Sequence, residues 1–247
     1  YPIGAMKQDL DTPVLCLDAG ALERNIARMA AFLADKPAGL RPHAKTHKCP
    51  TIAWMQMRAG AIGVPCAKVS EAEVMARSGI EDILIANQVI GSFKIARLVG
   101  LAGYTRVITA VESTAHAEQL SDAAQSKGLL LRTIIEVDVG MGRCGTLPGA
   151  PTLALAQQID RLPGLDFQGL MGYEGHAVMI ADPDKRRAVA QEAMAALVGT
   201  RDLLVQHGLP VEIVSAGGTG TYRTTGSYPG VTELECGSYA TMDAKYR

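Results

Sequence analysis

The chain has 247 residues, enough to bury a full hydrophobic core as one large barrel or as two smaller domains. Its 24 basic and 25 acidic residues give a net charge of −1, and because the basic residues are scattered along the chain, nucleic acid is not an expected partner. No apolar run reaches membrane-spanning length, so we expect no membrane partner. The five cysteines are widely spaced and never form CxxC, so we expect neither a disulfide framework nor a thiolate zinc site, and a cytoplasmic location.

Short β-type runs alternate with longer stretches of helical periodicity along most of the chain. The β-type runs are predicted at 14–18, 39–45, 62–67, 83–87, 106–111, 130–139, 167–173 and 212–215. Helices are predicted at 19–35, between 45 and 60, and at 70–79, 113–127, 151–161 and 182–208. Ser70 with Glu73 predicts a capping box at the start of one helix, and Asp182 before Pro183 predicts the N-cap of another.

Glycines end four of the predicted helices, and a β-type run follows each within a few residues: Gly60, Gly79, Gly128 and Gly208. This βα repetition is typical of a parallel sheet that is buried on both faces. Its regularity, without a break in composition, favours a closed (β/α)8 barrel over a doubly wound sheet. The repetition fails after Gly220, so we expect the barrel to occupy residues 1–230 and a final strand to lie within residues 231–247.

Chemically capable residues follow several of the predicted strands. In a barrel of this type the C-terminal ends of the strands meet at one rim, where the active site is built. The residues at or after the ends of these predicted strands are Lys45, Arg143, Tyr173, His176 three positions later, and the turn SAGGTG at 215–220. We therefore expect these residues to converge.

Lys45 lies in the charged stretch RPHAKTHK at 41–48. A nucleophilic lysine must be a neutral amine, and burial or neighbouring cations lower its pKa to that end. A solvated basic turn is the alternative interpretation. His43 and His47 could bind a metal ion on a helix, but Pro42 argues against a helix there, so we expect them to orient or polarise neighbouring groups.

Two glycine-rich segments could bind phosphate. The SAGGTG turn exposes backbone N–H groups without side chains in the way, although an ordinary tight turn explains it equally well. Residues 140–145 match the dinucleotide-binding pattern GxGxxG. We reject a dinucleotide site because no helix opens at the last glycine, where Pro148 and Pro151 follow instead.

A reactive lysine, a phosphate-binding turn and an aromatic ring together form the set that holds pyridoxal 5'-phosphate. Arg143 is always protonated, so a position facing the pyridine nitrogen keeps that nitrogen unprotonated and weakens the cofactor as an electron sink. Such a site suits retro-aldol cleavage or racemisation. Tyr173 has an alternative interpretation as an aromatic plug of the barrel.

Six segments carry a resemblance to a known family: RPHAKTHK, VPCAKVSEAE, EVDVGMGRCG, GYEGH, SAGGTGTY and ELECGSYATMDAKY. They resemble, in order along the chain, the fold-type III pyridoxal-phosphate enzymes of the D-threonine aldolase and D-serine dehydratase group, which share the alanine racemase N-terminal barrel. The resemblance implies that Lys45 forms a Schiff base with the cofactor, Arg143 faces its pyridine nitrogen and Tyr173 contacts it. It further implies a phosphate site formed by Gly218, Thr219, Gly220, Gly237, Ser238 and Tyr246.

The chain departs from the family pattern in two respects. Ala67 stands where relatives often have glutamine, which removes one expected contact to the cofactor ring. The family also carries a C-terminal β-domain with a divalent metal site for Mn, Mg or Zn, and part of the first strand packs with that domain. Because this sequence stops at Arg247, we expect only the start of the β-domain within residues 231–247, with the rest of that domain and the metal ligands outside the sequence, and we name no metal ligand here.

The predicted function is cleavage of a D-3-hydroxy amino acid to glycine and an aldehyde. The candidate proton carriers are His43, His47 and His176, and a metal-bound hydroxide is the competing candidate. One alternative is a metal-assisted dehydratase that acts on D-serine or 3-hydroxy-D-aspartate. Others are a non-catalytic pyridoxal-phosphate carrier, and a barrel whose lysine reacts directly with a carbonyl substrate. The resemblance also implies a homodimer.

Overall fold

The computed structural model describes residues 3–242. The strands are β1 (Gly39–Leu40), β2 (Val64–Cys66), β3 (Asp82–Gln88), β4 (Arg106–Val111), β5 (Leu131–Glu136), β6 (Leu165–Gly172), β7 (Ile213–Ala216) and β8 (Glu233–Leu234). The helices are α1 (Ala19–Leu33), α2 (Pro50–Arg58), α3 (Val69–Arg77), α4 (Ser92–Ala102), α5 (Thr114–Gln125), α6 (Ala150–Ile159), α7 (Gly175–Val178), α8 (Pro183–Gln206) and α9 (Tyr222–Thr225). Short 3-10 turns lie at Lys7–Asp9 and Ala44–Thr46. No helix among residues 3–242 has the length and apolarity needed to cross a bilayer.

All eight strands form one parallel sheet in the order β1-β8-β7-β6-β5-β4-β3-β2. The two outer strands of this order approach each other, because the backbone N–H of Ile62 donates to the carbonyl of Leu40 at 2.8 Å. The sheet therefore curls into a barrel, and the predicted (β/α)8 architecture is confirmed.

The helices pack outside the sheet, and the central strands are buried on both faces, as in β4, where five of the six residues are buried. All four glycines predicted to end helices adopt a positive φ, between 63° and 100°. This backbone region is open to glycine at little cost, so each helix stops where the next strand must begin. The N-cap at Asp182 is also confirmed, since its carboxylate accepts from the backbone N–H groups of Asp184 and Lys185.

A buried ion-pair network crosses the barrel beside the join between β1 and β2. The guanidinium of Arg41 donates to Glu233 at 3.0 Å and to Asp82 at 2.6 Å, and its side chain is only 5% exposed. Gly63 makes room for it, because a Cβ at that position would lie 2.2 Å from Arg41 Nη1 and 2.7 Å from the carbonyl oxygen of Asp82. The network therefore links β1, β3 and β8 directly.

Two local predictions are wrong. Residues 14–18 form no strand and are largely exposed, with Leu15 fully so, because a β-type run needs a partner strand and residues 3–242 supply none for it. The capping box is also absent: α3 starts at Val69, before Ser70, and Glu71 rather than Glu73 accepts from the backbone N–H of Ala67 at 3.0 Å.

Several segments differ in extent from the prediction. Strand β1 covers only part of 39–45, because the chain turns at Ala44–Thr46, and β5 ends three residues before 139. The sequence did not single out α4, α7 or α9. Strand β8 lies between β1 and β7, so the expected final strand after residue 230 belongs to the barrel sheet. The start of a further domain within 231–247 stays a prediction.

Arg41→Met should lower the free energy of unfolding by about 3–5 kcal/mol, because it leaves Glu233 buried without its cation. Urea denaturation would measure this loss. Arg97→Met is the matched control, since Arg97 pairs with Glu73 on the surface, where ion pairs contribute little. Equal effects of the two substitutions would contradict the proposed importance of the buried network.

Candidate active site

A cavity opens at the C-terminal ends of the strands, where the sequence predicted the site. Eight of the predicted residues line it: His43, Lys45, Arg143, Tyr173, Gly218, Thr219, Gly237 and Ser238. Gly220 lines a neighbouring cavity, while His47 and His176 line neither. Tyr246 lies outside the described residues. The structure thus brings together most of the predicted set from the segments that follow five separate strands.

Lys45 lies in the 3-10 turn that follows β1. Its backbone N–H donates to Nδ1 of His43 at 3.3 Å, and the N–H groups of His47 and Lys48 donate to the carbonyl of Ala44, so the turn is held from both sides. Burial lowers the pKa of the Lys45 amine, the carboxyl of Glu235 opposes that shift and the guanidinium of Arg143 adds to it. A lowered pKa increases the fraction of neutral amine, which is the form that nucleophilic attack requires.

The three predicted histidines have different surroundings. Burial, with a smaller contribution from Lys45, lowers the pKa of His43 to about 3, so its ring is neutral at physiological pH. His47 accepts from the backbone N–H of Cys49 at 3.0 Å and lies 3.3 Å from the amide oxygen of Gln56. His176 is exposed on α7, beside the Gly140 loop. Only His43 is therefore placed to act within the cavity.

The ring of Tyr173 lies near both cations of the site. Nζ of Lys45 is 5.9 Å from the ring centroid, and the guanidinium carbon of Arg143 is 5.7 Å from it, which are distances for cation–π attraction. Arg143 also approaches the buried carboxylate of Glu136 at 3.4 Å, which holds it at the end of β5. Whether Tyr173 contacts a cofactor or is an aromatic plug of the barrel stays a prediction in both cases.

Backbone N–H groups from two loops face the cavity region without a partner. Within residues 3–242, those of Thr219, Gly220, Gly237 and Ser238 donate to no other residue. A Cβ at Gly218 would lie 2.9 Å from the Tyr173 ring, and one at Gly237 would lie 2.5 Å from Oγ1 of Thr46. The glycines thus allow the two loops to pack closely around the cavity. Clustered free N–H groups of this kind bind anions.

Two carboxylates of the cavity were missed by the sequence analysis. Glu136 accepts from Gln88 at 2.5 Å as well as from Arg143, and Glu235 accepts from the hydroxyl of Ser215 at 2.8 Å. Burial raises the pKa of Glu235 to about 7, so it is partly protonated near neutral pH. The segment ELE at 233–235 held a signal, because residues two apart on a strand face the same side.

A larger cavity of about 570 Å³ lies on the other side of the glycine-rich turn, between α1 and α8. Arginines contribute much of its wall: Arg28, Arg186, Arg187 and Arg223. It contains no lysine and no carboxylate among the described residues. The predicted covalent chemistry needs a lysine, so it stays assigned to the smaller cavity that holds Lys45.

The barrel is similar to known proteins over its whole length. The family model described as alanine racemase, N-terminal domain, matches residues 17–245. A D-threonine aldolase of an Arthrobacter species is 40% identical over 237 residues, which are 96% of this chain and 62% of that protein. A 3-hydroxy-D-aspartate aldolase of Paracoccus denitrificans is 38% identical over 245 residues, which are 98% of this chain and 63% of that protein.

Solved structures of proteins with similar names have the same fold as this chain. The D-threonine aldolase from Filomicrobium marinum superposes with a TM-score of 0.93 at 42% identity, over 97% of this chain and 65% of that one. The D-threo-3-hydroxyaspartate dehydratase from Delftia sp. HT23 superposes with a TM-score of 0.87 at 30% identity, over 96% of this chain and 62% of that one.

The chain spans 62–65% of the length of these four proteins. The matching region includes every strand of the barrel and every loop that lines the Lys45 cavity. The chain belongs to the alanine racemase N-terminal domain family.

Proposed function

We propose that the Lys45 cavity binds pyridoxal 5'-phosphate, with Lys45 as the covalent attachment point. The observation that carries this proposal is a lysine of lowered pKa beside an aromatic ring, an arginine and unpartnered backbone N–H groups. Each matches one part of the cofactor: the aldehyde carbon, the ring, the pyridine nitrogen and the phosphate. The residues present therefore fit this group.

The phosphate would be held by the N–H groups of Thr219, Gly220, Gly237 and Ser238. Tyr246 stays a predicted phosphate contact. Arg143 would face the pyridine nitrogen from the end of β5, where Glu136 holds its guanidinium in place. Because an arginine does not give up its proton, this arrangement leaves the ring nitrogen unprotonated.

The proposed reaction is cleavage of a D-3-hydroxy amino acid to glycine and an aldehyde. The bound cofactor supplies an electron sink for the electron pair of the broken Cα–Cβ bond. The partly protonated carboxyl of Glu235 can give or take a proton close to Lys45, whereas neutral His43, whose Nδ1 accepts from the backbone N–H of Lys45, positions the lysine turn. His47 and His176 are proposed at most as outer proton carriers, because their rings lie away from the cavity lining.

Aldolase chemistry is supported over dehydratase chemistry by the order of the relatives. The proteins named as aldolases are 38–42% identical to this chain, whereas the one named as a dehydratase is 30% identical. The dehydratase nevertheless shares the fold over 96% of this chain. The products formed must therefore decide between the two reactions.

We also propose a homodimer in the cytoplasm that requires a divalent metal ion. The family resemblance supports the dimer and the metal ion, and five unpaired cysteines support a reducing compartment. Within residues 3–242, no group of three His, Cys, Asp or Glu side chains is arranged to hold a metal ion. We accordingly place the metal ligands outside these residues.

The first test is made on the full-length protein. We expect a yellow protein in which borohydride fixes the chromophore on Lys45, as peptide mass mapping would show, and which releases glycine and an aldehyde from D-threonine. Lys45→Ala should abolish both properties. Lys48→Ala is the control, because that side chain is 59% exposed and pairs with Glu71. Release of ammonia and a keto acid would instead identify a dehydratase, and a colourless protein that takes up no cofactor would refute the proposal.

A second prediction concerns the amine of Lys45 in the cofactor-free protein. Glu235→Gln removes a negative charge and should lower the pKa of Lys45 further, whereas Arg143→Leu removes a positive charge and should raise it. The pH dependence of labelling by an amine reagent, read by mass spectrometry, would measure both shifts.

Exposed Lys127 serves as the internal reference for labelling, and its rate should be the same in all three proteins. Shifts of the same sign in the two variants would contradict the assigned electrostatics of the cavity.

A further inference from the structure

Glu174 is a fully buried carboxylate that neither the predicted chemistry nor the proposed cofactor contacts use. It follows Tyr173 directly and lies between β6 and α7, with 0% of its surface exposed. Within residues 3–242, no lysine, arginine or histidine forms an ion pair with it. A buried carboxylate without a cation is costly and must be compensated by hydrogen bonds.

Within residues 3–242, every hydrogen bond to the carboxylate of Glu174 comes from the glycine-rich turn or from the segment 221–225 that follows it. The backbone N–H of Gly217 donates to Oε2 at 3.2 Å. The hydroxyls of Thr221 and Thr225 donate to Oε1 at 2.6 and 2.5 Å. One carboxylate therefore ties together the start of the turn, its end and helix α9.

These bonds decide which N–H groups of the turn remain free. Gly217 donates to Glu174, and Gly218 donates at 3.3 Å to the hydroxyl of Thr221, which itself donates to Glu174. The next two N–H groups, those of Thr219 and Gly220, have no acceptor among the described residues. The turn is thus divided into N–H groups used within the protein and N–H groups available to a ligand.

We infer that Glu174 is a positioning residue that shapes the glycine-rich turn for the phosphate of the cofactor. The inference rests on the proposed function, namely that pyridoxal phosphate binds in this cavity. The negative charge of a carboxylate opposes the binding of an anion, so the benefit of Glu174 lies in the geometry that it imposes on the turn. Its contribution should therefore be seen only with ligands that carry a phosphate group.

The test compares pyridoxal phosphate with pyridoxal, which lacks the phosphate. Cofactor-free full-length protein is titrated with each compound and the dissociation constants are measured by absorbance. Glu174→Gln keeps the shape of the side chain but replaces one acceptor oxygen by an NH2 donor, so it cannot accept all three bonds. We expect it to weaken binding of pyridoxal phosphate by about tenfold or more and to change binding of pyridoxal by less than about twofold.

Thr225→Val is the second variant, because it removes one hydroxyl donor to Glu174 while it leaves the carboxylate in place. It should show the same selective loss to a smaller extent. Thr224→Val is the matched control, since the neighbouring threonine makes no bond to Glu174, and it should bind both compounds as the unchanged protein does. Thermal unfolding of each variant shows whether it is folded. If Glu174→Gln does not fold, the binding data for Thr225→Val test the inference instead.

Two outcomes would overturn the inference. Equal losses for pyridoxal phosphate and pyridoxal would mean that Glu174 supports the fold in general, and no loss would mean that the turn keeps its shape without it. If the unchanged protein binds pyridoxal phosphate no more tightly than pyridoxal, the phosphate site in the proposed function is wrong as well. That result is visible before any variant is made, so the two failures are distinguishable.

Discussion

The guanidinium of Arg41 joins three strands at the point where the barrel closes, and the active-site loops start from those strands. Close to this join, one backbone hydrogen bond between Ile62 and Leu40 connects the two ends of the strand order. Lys45 follows Arg41 by four residues, and Glu235 follows Glu233 by two. The ion pairs of Arg41 with Glu233 and Asp82 therefore also set how the lysine turn meets the loop after β8. Barrel closure and cavity geometry depend on the same buried charges.

Much of the fold could be predicted because its signals are local. Glycines that end helices, apolar runs and the N-cap at Asp182 each depend on a few neighbouring residues, and the structure has them in the expected order. The failures involve partners distant in sequence. The run at 14–18 has β-type composition but no neighbouring strand, and Glu73 is engaged by Arg97 of the next helix instead of capping its own. Spacing alone does not reveal such competition.

Part of the site could be predicted because the C-terminal ends of all the strands lie at one rim of the barrel. Lys45, Arg143, Tyr173 and Thr219 could be brought together by that rule alone, without any knowledge of distances. That rule does not identify the three supporting carboxylates. Glu136, Glu174 and Glu235 gain their roles from partners 7 to 51 residues away in sequence, and the sequence around each of them does not indicate which partner its carboxylate will meet.

In the turn that carries Lys45, hydrogen bonds fix the backbone but leave the lysine side chain free to rotate. The bonds of His43 and Ala44 hold the main chain on both sides of the lysine, whereas the amine stands at the end of four methylene groups in a cavity. Departure and return of the amine then need only rotations about side-chain bonds, which take picoseconds to nanoseconds where there is space. In the proposed function, Lys45 would therefore exchange its covalent partner by side-chain rotation, and that exchange would need no loop motion.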